Sequence, residues 1–348
     1  MHPALRSLFE EQLAFSLENG EPIVGRVFIG DTEALPVKLL QADREAYRFE
    51  FSNWLNEIWR PRQALLRDEL LDLSGNKHRY VELKQAVSRH RVVPFIGSGM
   101  SVPMGLPTWW DLLVAIAEQV LGESDTIQPL LKDGCFEAAV DAIISRTNNK
   151  LFNEKIEHQL KLDDSSDLLG AVRLLPMLFP ELVVSSNMDA VLERLYQACE
   201  MPFESILTGA ELSTFRKFSA KGDRILVKLH GDYRKPTTRV LSSIEYDSAY
   251  GGGGLARAEL SNLYRNRALL FLGCSLVGDR TLSIIKEVAD ADPDCPKHFT
   301  MLPLPGSRNE QIRREEFLTS HGVFPIWYDG DHDECVLALL SGLLEELA

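Results

Sequence analysis

The chain has 348 residues, 45% hydrophobic and 25% charged, which is enough apolar content for a substantial core and too little charge bias for wholesale disorder. A formal net charge of −14 argues against a general binder of phosphate backbones, which needs a basic surface. The five cysteines, at 135, 199, 274, 295 and 335, form no CxxC pair and have no histidine at zinc spacing. Reduced thiols in a reducing compartment are expected, without a structural zinc.

Leu5 to Leu17 reads as a short amphipathic helix whose two glutamates do not suit a signal peptide. No apolar run approaches the ~20 residues that span a bilayer, so a cytoplasmic protein with no membrane association is expected. Glu21–Ile29 and Pro36–Leu40 read as strands separated by Gly-Asp turn signals, and Ala46–Phe51 alternates like a half-buried strand. Trp54, Leu55 and Trp59 open a helical stretch to Leu71, closed by Ser74-Gly75-Asn76. Residues 1–76 are therefore expected to form a small α+β module without a catalytic signature. It is either a packing extension or an interaction and oligomerisation module.

Residues 77–348 carry the main domain. A helix, Val81–Ser88, leads into the apolar run Arg91–Ile96, and Thr108 with Asp111 caps a helix through Leu112, Leu113, Ile116 and Val120 that stops at Gly122. Residues 126–178 show only helical periodicity and read as an insertion. Further apolar runs follow at Leu182–Ser186, Arg224–Leu229, Ala268–Leu272, His298–Leu302 and Val323–Tyr328, separated by helical patterns. Near-continuous apolar runs mark strands covered on both faces. The expected fold is a doubly wound, Rossmann-like α/β sheet of about six mostly parallel strands, whose ligands bind beyond the carboxyl ends of the strands. Gly251–Gly254 is a flexible break that suits a lid hinge.

Four short motifs each close one of these strands: Gly97-Ser98-Gly99-Met100-Ser101, Ser186-Asn187-Met188-Asp189, His230-Gly231-Asp232 and Gly273-Cys274-Ser275-Leu276. Glycines at such a turn let backbone approach a pyrophosphate without a Cβ clash. The ordinary G-x-G-x-x-G fingerprint fails, because Val102 stands in the third glycine's place. Asp329-Gly330-Asp331 reads as a turn rather than a metal site.

The stretch Gly97 to Trp109, with Gly105-Leu106-Pro107, resembles the first motif of the sirtuin family. Asn187 and Asp189 are similar to its N-x-D motif, His230-Gly231 to its H-G motif, and Gly273–Leu276 to its G-x-S-L motif, in the same order over roughly residues 90–330. The family's protein deacylases carry paired CxxC zinc motifs, a Gln before the Asn and D-F-R after G-I-P. Here there is no zinc module, Ser186 precedes Asn187, and Thr108-Trp109-Trp110 follows Pro107. What remains resembles the sirtuin-like NAD hydrolases of bacterial anti-phage systems.

That resemblance implies NAD as substrate, cleaved at the nicotinamide–ribose bond through an oxocarbenium-like state. It implies Asn187 and His230 as catalytic residues, with His230 as base toward a ribose hydroxyl or water. Gly97, Ser98, Gly99 and Ser101 are the expected phosphate cradle, and Gly273 and Ser275 hold the adenosine ribose. Pro107 and Trp109 wall the pocket. Asp189 either binds the nicotinamide carboxamide or caps the next helix. The resemblance also implies a homo-oligomer regulated by a separately encoded partner, of which a hexameric HerA-type ATPase is a candidate. The alternatives are an NAD or ADP-ribose sensor without turnover, an assembly subunit, and a deacylase.

Overall fold

The computed structural model describes residues 2–18, 27–29, 32–34, 41–163, 165–252, 254–277, 280–292 and 294–347. Its centre is a parallel sheet of seven strands in the order β5-β6-β4-β3-β7-β8-β9. In chain order these are β3 (Val92–Ile96), β4 (Leu182–Ser185), β5 (Ser205–Thr208), β6 (Ile225–Lys228), β7 (Ala268–Leu272), β8 (His298–Pro303) and β9 (Val323–Tyr328). The sheet has one strand more than expected. The additional strand, β5, is a four-residue edge strand with Ser205 and Thr208 at its ends and Ile206 40% exposed, so it never shows the continuous apolar run of a covered strand.

Alternate residues along each strand feed two separate cores. Val92, Ile96, Val183, Leu226, Leu270 and Ile326 face one side, and Val93, Phe95, Val184, Val227, Phe271 and Trp327 face the other. This is the doubly wound arrangement that period-two side-chain geometry requires of a sheet buried on both faces. From β3 the chain steps to β4, passes to the edge as β5, returns as β6 between β5 and β4, then crosses to β7 on the other side of β3. The switch point between β3 and β7 opens a crevice at the carboxyl ends of these strands.

The N-terminal segment holds α1 (Pro3–Glu18), the antiparallel pair β1 (Val27–Ile29) and β2 (Thr32–Ala34), α2 (Arg44–Asn53) and α3 (Arg60–Leu71), the last two joined by a π-helical stretch, Trp54–Trp59. The expected strand Ala46–Phe51 is helical instead. Asp43 caps it by accepting from the amides of Glu45 and Ala46, and Tyr47, Phe51 and Trp54 then fall on one helical face around Phe9. Phe49, which made the alternation look like a strand, is left 68% exposed. The expected strand Pro36–Leu40, and Glu21 to Arg26 of the one before it, lie outside the described residues. The buried aromatic residues of α1, α2 and the π-helical stretch join the same core as β3 and the C-terminal helix.

A helix over Asn76–Ser88, α4, precedes β3, and α5 (Trp109–Leu121) follows the first glycine loop. The elements within residues 126–178 are all helical; those up to Leu160 form a third core with α5 through Leu131, Val140, Ile143 and Phe152, and Ala171–Leu178 join the first core. Among the described residues, no helix is long and apolar enough to cross a membrane.

Candidate active site

Strand register brings the four motifs together. Lys228 of β6 pairs with Ser185 of β4, Ser185 lies beside Ile96 of β3, and Ile96 pairs with Leu272 of β7. The four loops therefore leave the sheet at one level, over the switch point. They border a cleft of about 430 Å³ whose lining includes Gly97, Ser98, Gly99, Trp109, His230, Gly273 and Ser275. A second cleft, of about 660 Å³, shares Gly99, Gly273, Cys274, Ser275 and Val277 and continues over β8 and β9 to Leu304, Glu310 and Tyr328.

The ridge between the clefts is built from glycine. A Cβ on Gly97 would lie 2.5 Å from Gly273 O and 2.6 Å from Cys274 Sγ, and one on Gly273 would lie 2.5 Å from Met100 N. Gly273 also holds φ at +67°, where a side chain is strained. The amide of Gly97 donates to Leu272 O (2.8 Å) and that of Gly99 to Gly273 O (3.0 Å). These two amides, expected to face a pyrophosphate, are thus engaged in sealing the two loops together. Ser98 and Ser275 supply polar side chains at the cleft, and Ser98 Oγ also accepts from Trp109 N (3.3 Å) at the start of α5.

His230 lies at the end of β6 with its Nδ1 2.8 Å from Val240 O. A carbonyl only accepts, so Nδ1 carries the proton and Nε2 keeps the lone pair of the neutral ring. Trp109 stands edge-on to the imidazole, with ring centroids 5.4 Å apart. The turn behind His230 depends on Gly231 (φ +82°), where a Cβ would collide with Thr238 O. Asp232 is held by Arg234 Nη2 (2.6 Å) and Nε (2.9 Å). Burial raises its carboxyl pKa, but the Arg234 bonds and nearby Lys228 prevail and bring it down to about 2.

Asn187 is buried beneath the cleft. Its Nδ2 donates to Gly97 O (3.0 Å) and Ser101 Oγ (3.1 Å), while its Oδ1 is buried with no hydrogen-bond partner. Ser101 Oγ donates in turn to Asp189 Oδ2 (2.9 Å), and Asp189 Oδ1 accepts from Val191 N (3.0 Å). Asp189, one residue before the N-cap Ala190, thus binds the first amide of the helix Val191–Ala198 as well as neighbouring the site, and burial pushes its pKa up. Ser101 lies in this supporting layer rather than at the cleft. Asn187, Asp189, Pro107 and Trp109 meet around a void of about 10 Å³ that adjoins Ser98.

Each candidate site residue read from the sequence lies at this rim or directly beneath it. Missed were Leu131, Lys132, Phe136 and Glu137, which the helical insertion contributes to the cleft wall, and Lys228 under His230. The wall residues carry no motif and arrive through tertiary packing. Lys228 reads in sequence as the charged end of a strand. Among the described residues, no group of three or more His, Cys, Asp or Glu is placed to hold a metal ion.

Residues 181–326 match the SIR2-like domain family. The match begins just before β4, takes in the Asn187, His230 and Gly273 loops, and supports a Sir2-type fold over that span. The first glycine loop lies outside it, and its place in the site rests on the register of β3 with β4 and β7.

Proposed function

We propose that the protein is an NAD⁺ hydrolase. The observation that carries this reading is the level exit of all four motif loops at the β3–β7 switch point, where doubly wound sheets bind their ligands, in a chain that matches the NAD-using SIR2-like domains. Two clefts divided by a glycine ridge suit a dinucleotide lying across it, with nicotinamide riboside on the His230 side and adenosine over β8 and β9. The unpartnered Asn187 Oδ1 supplies an acceptor for a ribose hydroxyl or an attacking water.

In this reading water attacks C1′ of the nicotinamide ribose, and nicotinamide departs with the bonding electron pair as a neutral ring. ADP-ribose and a proton are the remaining products. His230 Nε2 takes the proton from the water or the ribose hydroxyl, and the bond from Nδ1 to Val240 O fixes the ring for that task. Trp109 walls the reacting end against solvent.

Nicotinamide release from NAD⁺ by the purified chain, beside His230→Ala, tests the reading. Release that disappears in the variant supports it. Equal release by both proteins, or ADP-ribose binding without any release by the intact chain, sinks it, the latter in favour of a sensor.

The same reading places NAD depletion in anti-phage defence, under a partner such as a HerA-type ATPase. Phe49 and Leu65, on two of the N-terminal helices, are 68% and 66% exposed, which suits them to docking or self-association. Replacing both by serine leaves the core intact and should abolish co-purification with such a partner, or dimer formation, if these residues are used.

A further inference from the structure

We infer that Lys228 is a positioning residue that locks the Asn187 loop to the His230 strand; the inference rests on the hydrolase reading of this rim. Lys228 is 1% exposed, yet its ammonium is saturated. Nζ donates to Met188 O (3.2 Å), Asp189 O (2.7 Å) and Glu193 Oε1 (2.7 Å). An ammonium has three protons and no lone pair, so nothing is left over for substrate. Tyr233 N reinforces the joint by donating to Met188 O (3.1 Å).

The placement follows from the strand. Lys228 closes β6 two residues before His230 and shares a face with Leu226, toward the helix Val191–Ala198 that carries Glu193. Met188 and Asp189 immediately follow Asn187. One buried cation therefore joins the backbone of one proposed catalytic loop to the strand that ends in the other. A mere ion pair would need only Glu193; the two carbonyl contacts need this side chain's reach and its donors.

That difference separates a positioning role from a purely structural one. Lys228→Met alone leaves buried Glu193 with Arg234 Nη2, at 3.7 Å, as its remaining cation, which is destabilising and can unfold the chain. Lys228→Met combined with Glu193→Leu removes both charges, while Asp232, 3.5 Å from Lys228 Nζ, keeps its bonds to Arg234, and similar replacements of buried pairs are often neutral. The double variant should therefore melt near the wild-type temperature while kcat for nicotinamide release falls at least 30-fold and the Kd for ADP-ribose stays within threefold. A double variant with kcat within threefold of wild type overturns the inference.

Amide hydrogen exchange provides a readout independent of turnover. Exchange at residues 187–191 should quicken at least tenfold in the double variant, with the β7 and β8 amides unchanged. Unaltered exchange there also overturns the inference. Absence of nicotinamide release from the wild-type chain counts instead against the hydrolase reading, and the exchange experiment still decides the role of Lys228.

Discussion

Asparagine and histidine each occur both in the buried packing around β8 and β9, the sheet's far seam, and at its rim, in different roles. At the seam, Asn76 is fully buried and satisfied, with Nδ2 donating to Leu70 O (2.6 Å) and Trp327 O (2.7 Å), and Oδ1 accepting from Trp327 N (2.8 Å). At the rim, Asn187 uses only its amide protons and keeps Oδ1 unpartnered beside a void. Two histidines differ in which nitrogen keeps the lone pair. His298 Nδ1 accepts from Leu269 N (3.0 Å), so its proton sits on Nε2, a donor left without a partner inside an apolar core. His230 carries its proton on Nδ1 and leaves Nε2 as the basic nitrogen in the cleft lining. A polar side chain saturated by its own backbone is a joint. One with an acceptor left over beside a void is equipped for a ligand.

The largest effect expected from this contrast is on turnover. His230→Ala should lower kcat for nicotinamide release by about 10²–10⁴-fold, the usual range for a general base. Asn187→Ala should fall in the same range, and both should melt within a few degrees of wild type. Urea unfolding and a nicotinamide assay on the same samples check this. A variant that loses stability and turnover in parallel would make the rim residue a joint like Asn76.

The reverse is expected at the seam. Asn76→Ala leaves Trp327 N and Trp327 O unpaired in the core, while Leu70 O keeps Leu73 N (3.2 Å), so at about 1–3 kcal/mol for each unpaired group a loss of roughly 2 kcal/mol or more is expected. Its kcat, normalised to folded protein, should match wild type. A fall in kcat without a fall in stability would erase the distinction between the two asparagines.

His298 makes the seam sensitive to acid. Burial pushes its pKa from 6.5 down to about 4, so the folded state resists taking the proton. A depressed folded pKa contributes stability that is complete above pH 6.5 and is lost as the pH falls toward 4. Over that interval the loss approaches about 3 kcal/mol, at roughly 1.4 kcal/mol per pH unit. His298→Asn, whose Oδ1 can take the place of Nδ1, should flatten the stability curve between pH 6.5 and 4. A curve as steep as wild type would remove His298 as the cause.

Much of this division could be read before the fold was known. Strands covered on both faces announce themselves as apolar runs, so β3, β4, β6, β7, β8 and β9 were legible, and glycine or polar residues at their ends marked the rim. What failed were features decided by distant partners. Edge strand β5 has only four residues, polar at both ends and with Ile206 exposed, and lacks the run. The Tyr47–Phe51 alternation satisfies period two, but Phe9 packs against Tyr47, Phe51 and Trp54, which share a helical face. Lys228 is invisible as a core residue because burying a lysine makes sense only once Glu193 and two carbonyls are known to surround it. The glycine loop was placed correctly, but the engagement of the Gly97 and Gly99 amides depends on β7, some 170 residues away in sequence.

The smallest expected effect tests whether the rim can be adjusted without being broken. Thr108 Oγ1 accepts from Asp111 N (3.2 Å) and donates to Asp111 Oδ2 (2.6 Å), closing the first turn of α5. Loss of such a cap costs about 1 kcal/mol. The residues it holds in register are Trp109 and Trp110, both in the cleft wall. Fraying that turn loosens the wall but leaves His230 and Asn187 on their own strands. Thr108→Ala should therefore raise KM for NAD⁺ a few-fold while changing kcat less than twofold, and Thr108→Ser should restore both. Steady-state kinetics at several NAD⁺ concentrations separate the two constants. An equal fall in kcat would mean that α5 holds the reacting groups themselves, and that the rim includes the helix as well as the strand ends.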